Sequence, residues 1–169
     1  MRIIINAGHT KLGVGTGAVG KLSESIETRK IAYELMKQLS GTDHEVIPAV
    51  FDKSNNNLKQ AVNLSNDNLA DLFVSIHLNS GGGHGTEIYT WKGKETDRAK
   101  KTLKNLNALG FSNRGIKDGS ALYVIKNTKC EAMLIEVCFV GSEIDYSIYK
   151  AHGYAIIAEA IANGIIGDL

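Results

Sequence analysis

"RIIINAGHTKLGVGTGAVGKLSESIETRKIAYELMKQL" (2–39) holds the reading that decides the fold. Its first five residues are a short β-branched run, the composition of a buried strand. A glycine-rich loop follows. Ser23 can then cap a helix whose apolar positions Ile26, Ala32, Leu35 and Leu39 recur every three to four residues, ending at Gly41. Strand, loop and helix make one half of a βαβ unit. Gly15–Gly20 spells G-x-G-x-x-G, but a dinucleotide fingerprint needs its glycines directly after the strand and in the first turn of the helix. Here the pattern starts well past Asn6 and is over before Ser23, and "EVIPAV" (45–50) ends without the acidic residue such a site uses. The fingerprint fails, and the loop's chemical content is His9 before the glycines and Glu24 after them.

Working outward, further β-branched runs are "HEVIPAV" (44–50), "DLFVSIHL" (71–78), "TEIYTW" (86–91), "ALYVI" (121–125) and "AMLIEVCFV" (132–140). Helical periods lie between them at 55–70, 94–110 and 149–165. Strands alternating with helices predict an α/β layer fold around a largely parallel sheet. With 169 residues, a single proline and no internal repeat, the chain reads as one domain, 1–169.

A formal charge of +1 argues against a broad electrostatic grip on nucleic acid or anionic lipid, so neither is an expected partner. No apolar run is long enough to cross a membrane. "MRIIINAGH" lacks the apolar core and cleavage site of a signal peptide, and Cys130 and Cys138 are isolated, as in a reducing compartment. The expectation is synthesis in the cytoplasm, with any action outside a membrane waiting on release by something else.

Strand ends carry the chemistry. "IIINAGH" delivers His9, "LFVSIH" delivers His77 and "AMLIE" delivers Glu136. Ligands of open α/β sheets collect outside the carboxyl ends of strands. If these strands are parallel neighbours, two imidazoles and a carboxylate converge there. That is the ligand set of a catalytic zinc with one position left for water, suited to amide or ester hydrolysis. Each residue has a plainer reading. His77 can be a core histidine, Glu136 half of a structural ion pair, and Glu24 a solvated acid favoured by its helix dipole, with Glu27 competing for the same role. Cys138, two residues after Glu136, would share its side of an extended strand as a thiolate ligand, a nucleophile or a buried thiol. His44, His84 and His152 have no neighbour that makes them ligands. The loop "NSGGGHG" (79–85) can wall a cleft beside His77 or be a surface turn.

These blocks resemble the zinc-dependent N-acetylmuramoyl-L-alanine amidases that cut bacterial peptidoglycan. "NAGH" with His9 is similar to the family's D-x-G-H opening, and Glu24 with Ala32 and Leu35 to its glutamate and following helix. "SIHLNS" with His77 resembles its serine-x-histidine-x-asparagine stretch. "NRGIKDGSALYVIKNTKCEAMLIEVCFVGSEID" (113–145) resembles its late block, and "AIIAEAIANGI" (155–165) its closing helix. The resemblance spans essentially the whole chain. Three positions depart from it. Asn6 replaces an aspartate, which predicts weaker support for His9, Thr10 replaces a frequent glycine, and Glu131 a usual proline.

The resemblance implies a twisted, mainly parallel six-stranded sheet with helices on both faces. It implies one Zn²⁺ held by His9, Glu24 and His77, favouring Glu24 over Glu27, and Glu136 as the general base. The substrate it implies is peptidoglycan, cut between N-acetylmuramic acid and L-alanine. Without a secretion signal the fitting setting is a phage endolysin in host lysis, whose separate wall-binding domain would be missing from this chain. A sporulation or autolytic amidase, a zinc peptidase of the stem peptide and a non-catalytic wall-binding module are the alternatives.

Overall fold

The computed structural model describes residues 1–167. In chain order the elements are β1 (Arg2–Ala7), α1 (Glu24–Leu39), β2 (Glu45–Ala49), α2 (Asn57–Asp67), β3 (Leu72–Asn79), β4 (Thr86–Thr90), α3 (Asp97–Ala108), β5 (Asn113–Asp118), α4 (Tyr123–Asn127), β6 (Glu131–Phe139) and α5 (Glu143–Ile166). The strands form one six-stranded sheet in the order β2-β1-β3-β6-β4-β5. Every pairing is parallel except β4 with β6. The exception has a simple cause: residues 80–85 are too short a link for a helical crossover, so β4 returns antiparallel. The mainly parallel α/β sheet expected from the sequence is what forms.

Alternation along the central strands sorts side chains onto two cores. Ile3, Ile5, Leu72, Val74, Ile76, Met133, Ile135 and Ile88 face a large apolar layer with Leu35 of α1, Leu106 of α3 and Ile161 of α5. Ile4, Phe73 and Leu134 face a smaller one with Ala61 and Val62 of α2 and Val124 and Ile125 of α4. Ile3, Ile4 and Ile5 are all fully buried because β1 is covered on both sides, the reason its run is apolar without alternation. Truncating such a residue to alanine costs about 2–5 kcal/mol.

The connection from β1 goes outward to β2, and the chain then crosses back to β3 on the other side of β1. Such a switch point opens a crevice between β1 and β3 at their carboxyl ends. On the smaller-core face, the row continues past Ile4, Phe73 and Leu134 as Asn6, Ser75, His77 and Glu136, with Glu87 and Tyr89 of β4 alongside. The apolar face thus becomes polar at the rim.

Two expectations are corrected. "ALYVI" (121–125) is not a strand: the chain turns at Gly119–Leu122, and α4 buries Val124 and Ile125 in a single turn against the sheet. The strand in that region is "NRGIKD", an exposed edge whose charges mark it as an edge rather than a core strand. The last helix begins at Glu143 rather than 149, capped by Ser142 accepting from the Asp145 N–H, and breaks at Gly153 with φ 73°.

Candidate metal centre and active site

After β1 the chain passes through Gly8 to His9, whose φ of 64° is left-handed backbone, strained for a residue with a side chain. Helix α1 holds it there. Buried Arg29 donates through Nη2 to the His9 carbonyl at 3.2 Å, and Thr28 Oγ1 donates to the Gly8 carbonyl at 3.2 Å. The same guanidinium reaches the carbonyls of Ser25 (2.7 Å) and Phe51 (2.9 Å) and the Asp52 carboxylate (3.0 Å). Two glycines make room. A Cβ on Gly8 would strike the His77 ring, and one on Gly17 would lie 2.8 Å from Glu24 Oε2 and 3.0 Å from the His9 ring.

Glu24, the first residue of α1, is buried, with its Oε1 3.1 Å from His9 Nε2 and 3.1 Å from His77 Nδ1. Backbone amides steady it: Leu78 N–H donates to Oε1 (3.2 Å) and Ala18 N–H to Oε2 (2.9 Å). One ligand atom from each of His9, Glu24 and His77 lies within 4.8 Å of the others. The two rings meet edge to face, centroids 5.1 Å apart.

Hydrogen bonds behind the rings fix their tautomers. His9 Nδ1 lies 3.1 Å from the Gly15 carbonyl, which can only accept, so Nδ1 carries a proton and Nε2 is the nitrogen that faces Glu24, bare when the ring is neutral. For His77 the chain is longer. Asn6 Nδ2 donates to the Ala49 carbonyl at 2.7 Å, so its Oδ1 accepts from Ser75 Oγ at 2.7 Å. Ser75 Oγ, having given its proton to Asn6, accepts from His77 Nε2 at 3.1 Å, so Nδ1 is the nitrogen on the Glu24 side and is bare when the ring is neutral. His9 Nε2 and His77 Nδ1 thus both point at one carboxylate, donating to it when the rings are protonated and offering lone pairs to a cation when they are neutral. Burial disfavours the Glu24 charge, but the contacts with His77 and His9 prevail and hold its carboxyl well below the usual range. Glu24 in turn raises the His9 ring, against the opposing pull of burial. Two imidazoles and one carboxylate, oriented from behind, fit a zinc ion with an open coordination position.

Glu136 stands beside this cluster. It pairs in register with His77 on one side and with Glu87 on the other. Burial first, then the negative charges of Glu24 and Glu87, push its carboxyl up to about 8, with His9 opposing. Its Oε2 is buried with no hydrogen-bond partner among the described residues. A carboxyl that is half-buried, unpartnered and tuned toward neutrality is suited to proton transfer.

Sequence reading placed the four site residues at one rim, and the structure brings all four there. Glu27 is elsewhere: it accepts from Tyr149 Oη at 2.6 Å and pairs with Lys30 at 2.9 Å, tying α1 to α5. Asn6 backs His77 through Ser75, not His9, which corrects the expectation about its departure from aspartate. Cys138 does not share the side of Glu136. His77 pairs with Glu136 but Asn79 with Phe139, an extra residue in β6 that turns Cys138 into the large core. There it is fully buried and its thiol is pushed up, first by burial, so it is neither ligand nor nucleophile. Among His44, His84 and His152 none joins the cluster. Residues that sequence reasoning passed over are Arg29, Ser75, Glu87 and Arg114. Glu87 had a signal of its own, a carboxylate within the strand "TEIYTW", the same cue that drew attention to Glu136.

A family model described as N-acetylmuramoyl-L-alanine amidase matches residues 3–167. The chain belongs to this amidase family. A Clostridium perfringens protein described as uncharacterized is 36% identical over 98% of this chain and 51% of its own length. The sporulation-specific N-acetylmuramoyl-L-alanine amidase of Bacillus subtilis is 30% identical over 98% of this chain and 67% of its own length. Among solved structures, the catalytic domain of the CD27L endolysin targeting Clostridia difficile superposes with a TM-score of 0.90 at 28% identity, covering 99% of this chain and 98% of that domain. The chain spans about half the length of the first curated relatives it matches.

Proposed function

We propose that the protein hydrolyses the amide between N-acetylmuramic acid and L-alanine in peptidoglycan, with His9, Glu24 and His77 holding one zinc ion and Glu136 as general base. The observation that carries the reading is the convergence of His9 Nε2 and His77 Nδ1 on Glu24, each ring held from behind, beside a carboxyl oxygen of Glu136 with no partner among the described residues. Zinc at that point supplies Lewis acidity, polarising a carbonyl and acidifying water to a pKa near about 7.

The chain's own residues do the rest. Glu24 and the two rings would hold the ion at the β1–β3 crevice, where the carbonyl to be cut would meet it. Glu136 takes the proton of the attacking water and passes it to the departing nitrogen of L-alanine. Its elevated proton affinity suits both halves of that transfer, since it must accept a proton and then release it. Glu136 would be held nearer its working, ionised form with a cation at the His9–Glu24–His77 point, whose charge would offset that of Glu24.

The likeness to an endolysin catalytic domain supports a lysis role. The sporulation-specific relative supports a second setting, wall remodelling in sporulation.

Digestion of purified peptidoglycan tests the reaction. The reading expects peptides with a new amino terminus at L-alanine and glycan strands of unchanged length. A new terminus elsewhere in the stem would make the protein a peptidase, and new reducing ends a glycosidase. Failure to release any peptide would leave a wall-binding module.

A further inference from the structure

The rim does not end at Glu136. Glu87 on β4, directly opposite it, is a buried carboxylate with three partners. Oε1 accepts from Asn79 Nδ2 at 2.8 Å and from Tyr89 Oη at 2.9 Å, and Oε2 accepts from Arg114 Nε at 2.8 Å. Burial works against this charge, yet Arg114 first, then the Tyr89 hydroxyl, hold Glu87 below its ordinary range. It is a fixed anion rather than a second proton carrier.

Arg114 reaches Glu87 by a built feature. Thr86 pairs with Asn113 but Ile88 with Ile116, so β5 carries an extra residue at 114–115, and Gly115 takes φ 88°. Bulges of this kind re-aim a side chain. This one places the guanidinium 4.9 Å from the centre of the Phe139 ring, with Nε on Glu87. Among the described residues only a long 3.5 Å contact, Nη1 to the His84 carbonyl, involves the other edge. The side chain keeps 37% of its exposure while its partner Glu87 keeps 6%. One edge is therefore anchored and stacked, and the Nη1–Nη2 edge is free for a second carboxylate, the planar fork geometry in which arginine binds two oxygens at once.

We propose that Arg114, anchored by Glu87 and Phe139, is the subsite for a free carboxylate on the peptide side of the substrate. The inference rests on the amidase reading, because direction comes from the sheet order. His77 is on β3, Glu136 on β6, Glu87 on β4 and Arg114 on β5, successive neighbours. The carbonyl to be cut lies at the His77 end and the leaving nitrogen at Glu136. Residues beyond L-alanine then run past Glu136 toward β4 and β5. The second stem residue carries there either an α-carboxylate or its amide, and Arg114 selects the carboxylate.

Two synthetic muramyl tripeptide amides test this, alike except that the second residue bears an α-carboxylate in one and a carboxamide in the other. The zinc-loaded protein should show a KM about tenfold lower for the carboxylate, the size of one charge-assisted contact. Arg114→Gln, whose amide can still donate to Glu87, should abolish that preference by raising KM for the carboxylate substrate to that for the carboxamide. Arg114→Lys, which keeps the charge but not the fork, should retain part of it. Equal KM values in the unaltered protein would overturn the proposal while leaving the amidase reading intact. So would an Arg114→Gln variant that keeps the preference, or one that loses kcat equally on both substrates. Cleavage of neither substrate by the unaltered protein would overturn both.

Discussion

Ser75 Oγ and His77 Nε2 stand 3.1 Å apart, and Ser75 can only accept in that contact because its own proton goes to Asn6 Oδ1. One buried hydroxyl thereby favours a proton on Nε2, the nitrogen of His77 turned away from Glu24. Behind it, Asn6 is oriented by a carbonyl of the neighbouring strand β2.

Ser75→Ala should therefore weaken zinc binding without touching a ligand. Losing a supporting hydrogen bond of this kind lowers metal affinity by about 10–100-fold. Competition against a chromogenic chelator measures it, with kcat at saturating zinc expected within a few-fold of the unaltered protein. An unchanged affinity would mean that His77 finds its tautomer without Ser75.

Arg29 acts on the other histidine. It satisfies three carbonyls and secures the left-handed backbone at His9. Arg29→Met should destabilise the fold by roughly 1–3 kcal/mol, the cost of leaving buried acceptors unpaired, and should also weaken zinc binding. A double-mutant cycle with His9→Ala separates the two effects. If Arg29 acts on the metal through His9, its effect on zinc affinity disappears once His9 is gone, while the loss in denaturant midpoint persists.

Glu136 gives a pH signature in the metal-free protein. Its folded-state carboxyl is raised to about 8, above the ordinary 4.5, so the folded chain holds a proton that the unfolded chain has released. Stability contributed by this group falls as pH rises through that window. Denaturant midpoints of the metal-free protein should decline between pH 5 and 8 by more than those of Glu136→Gln, which has nothing to ionise there. Parallel profiles for the two proteins would remove the elevated carboxyl from the account.

The sheet class was legible because β1, β3 and β6 are buried on both faces, and their apolar runs announce it. The edge was not. "NRGIKD" reads as loop because an edge strand in solvent contributes one core residue, Ile116, while "ALYVI" reads as strand because a single helical turn can bury a β-branched pair just as well. The site was legible in the same partial way. His9, His77 and Glu136 follow strand ends, and that rule alone finds them. Asn6, Ser75, Arg29 and Arg114 act through contacts between elements distant in sequence: Asn6 with Ser75 across β1 and β3, Arg29 with the loop before its own helix, Arg114 with Glu87 across a bulge. No local pattern encodes such partners. Cys138 shows the opposite failure, a period-two argument broken by one inserted residue.

The central claim is that His9, Glu24 and His77 share one divalent ion beside Glu136, and titration of the metal-free protein with zinc tests it most directly. One ion per chain is predicted for the unaltered protein and for Glu136→Gln, with Glu24→Gln and His77→Ala each binding far more weakly. Undiminished stoichiometric binding by the Glu24 and His77 variants, or no binding by the unaltered chain, would contradict it.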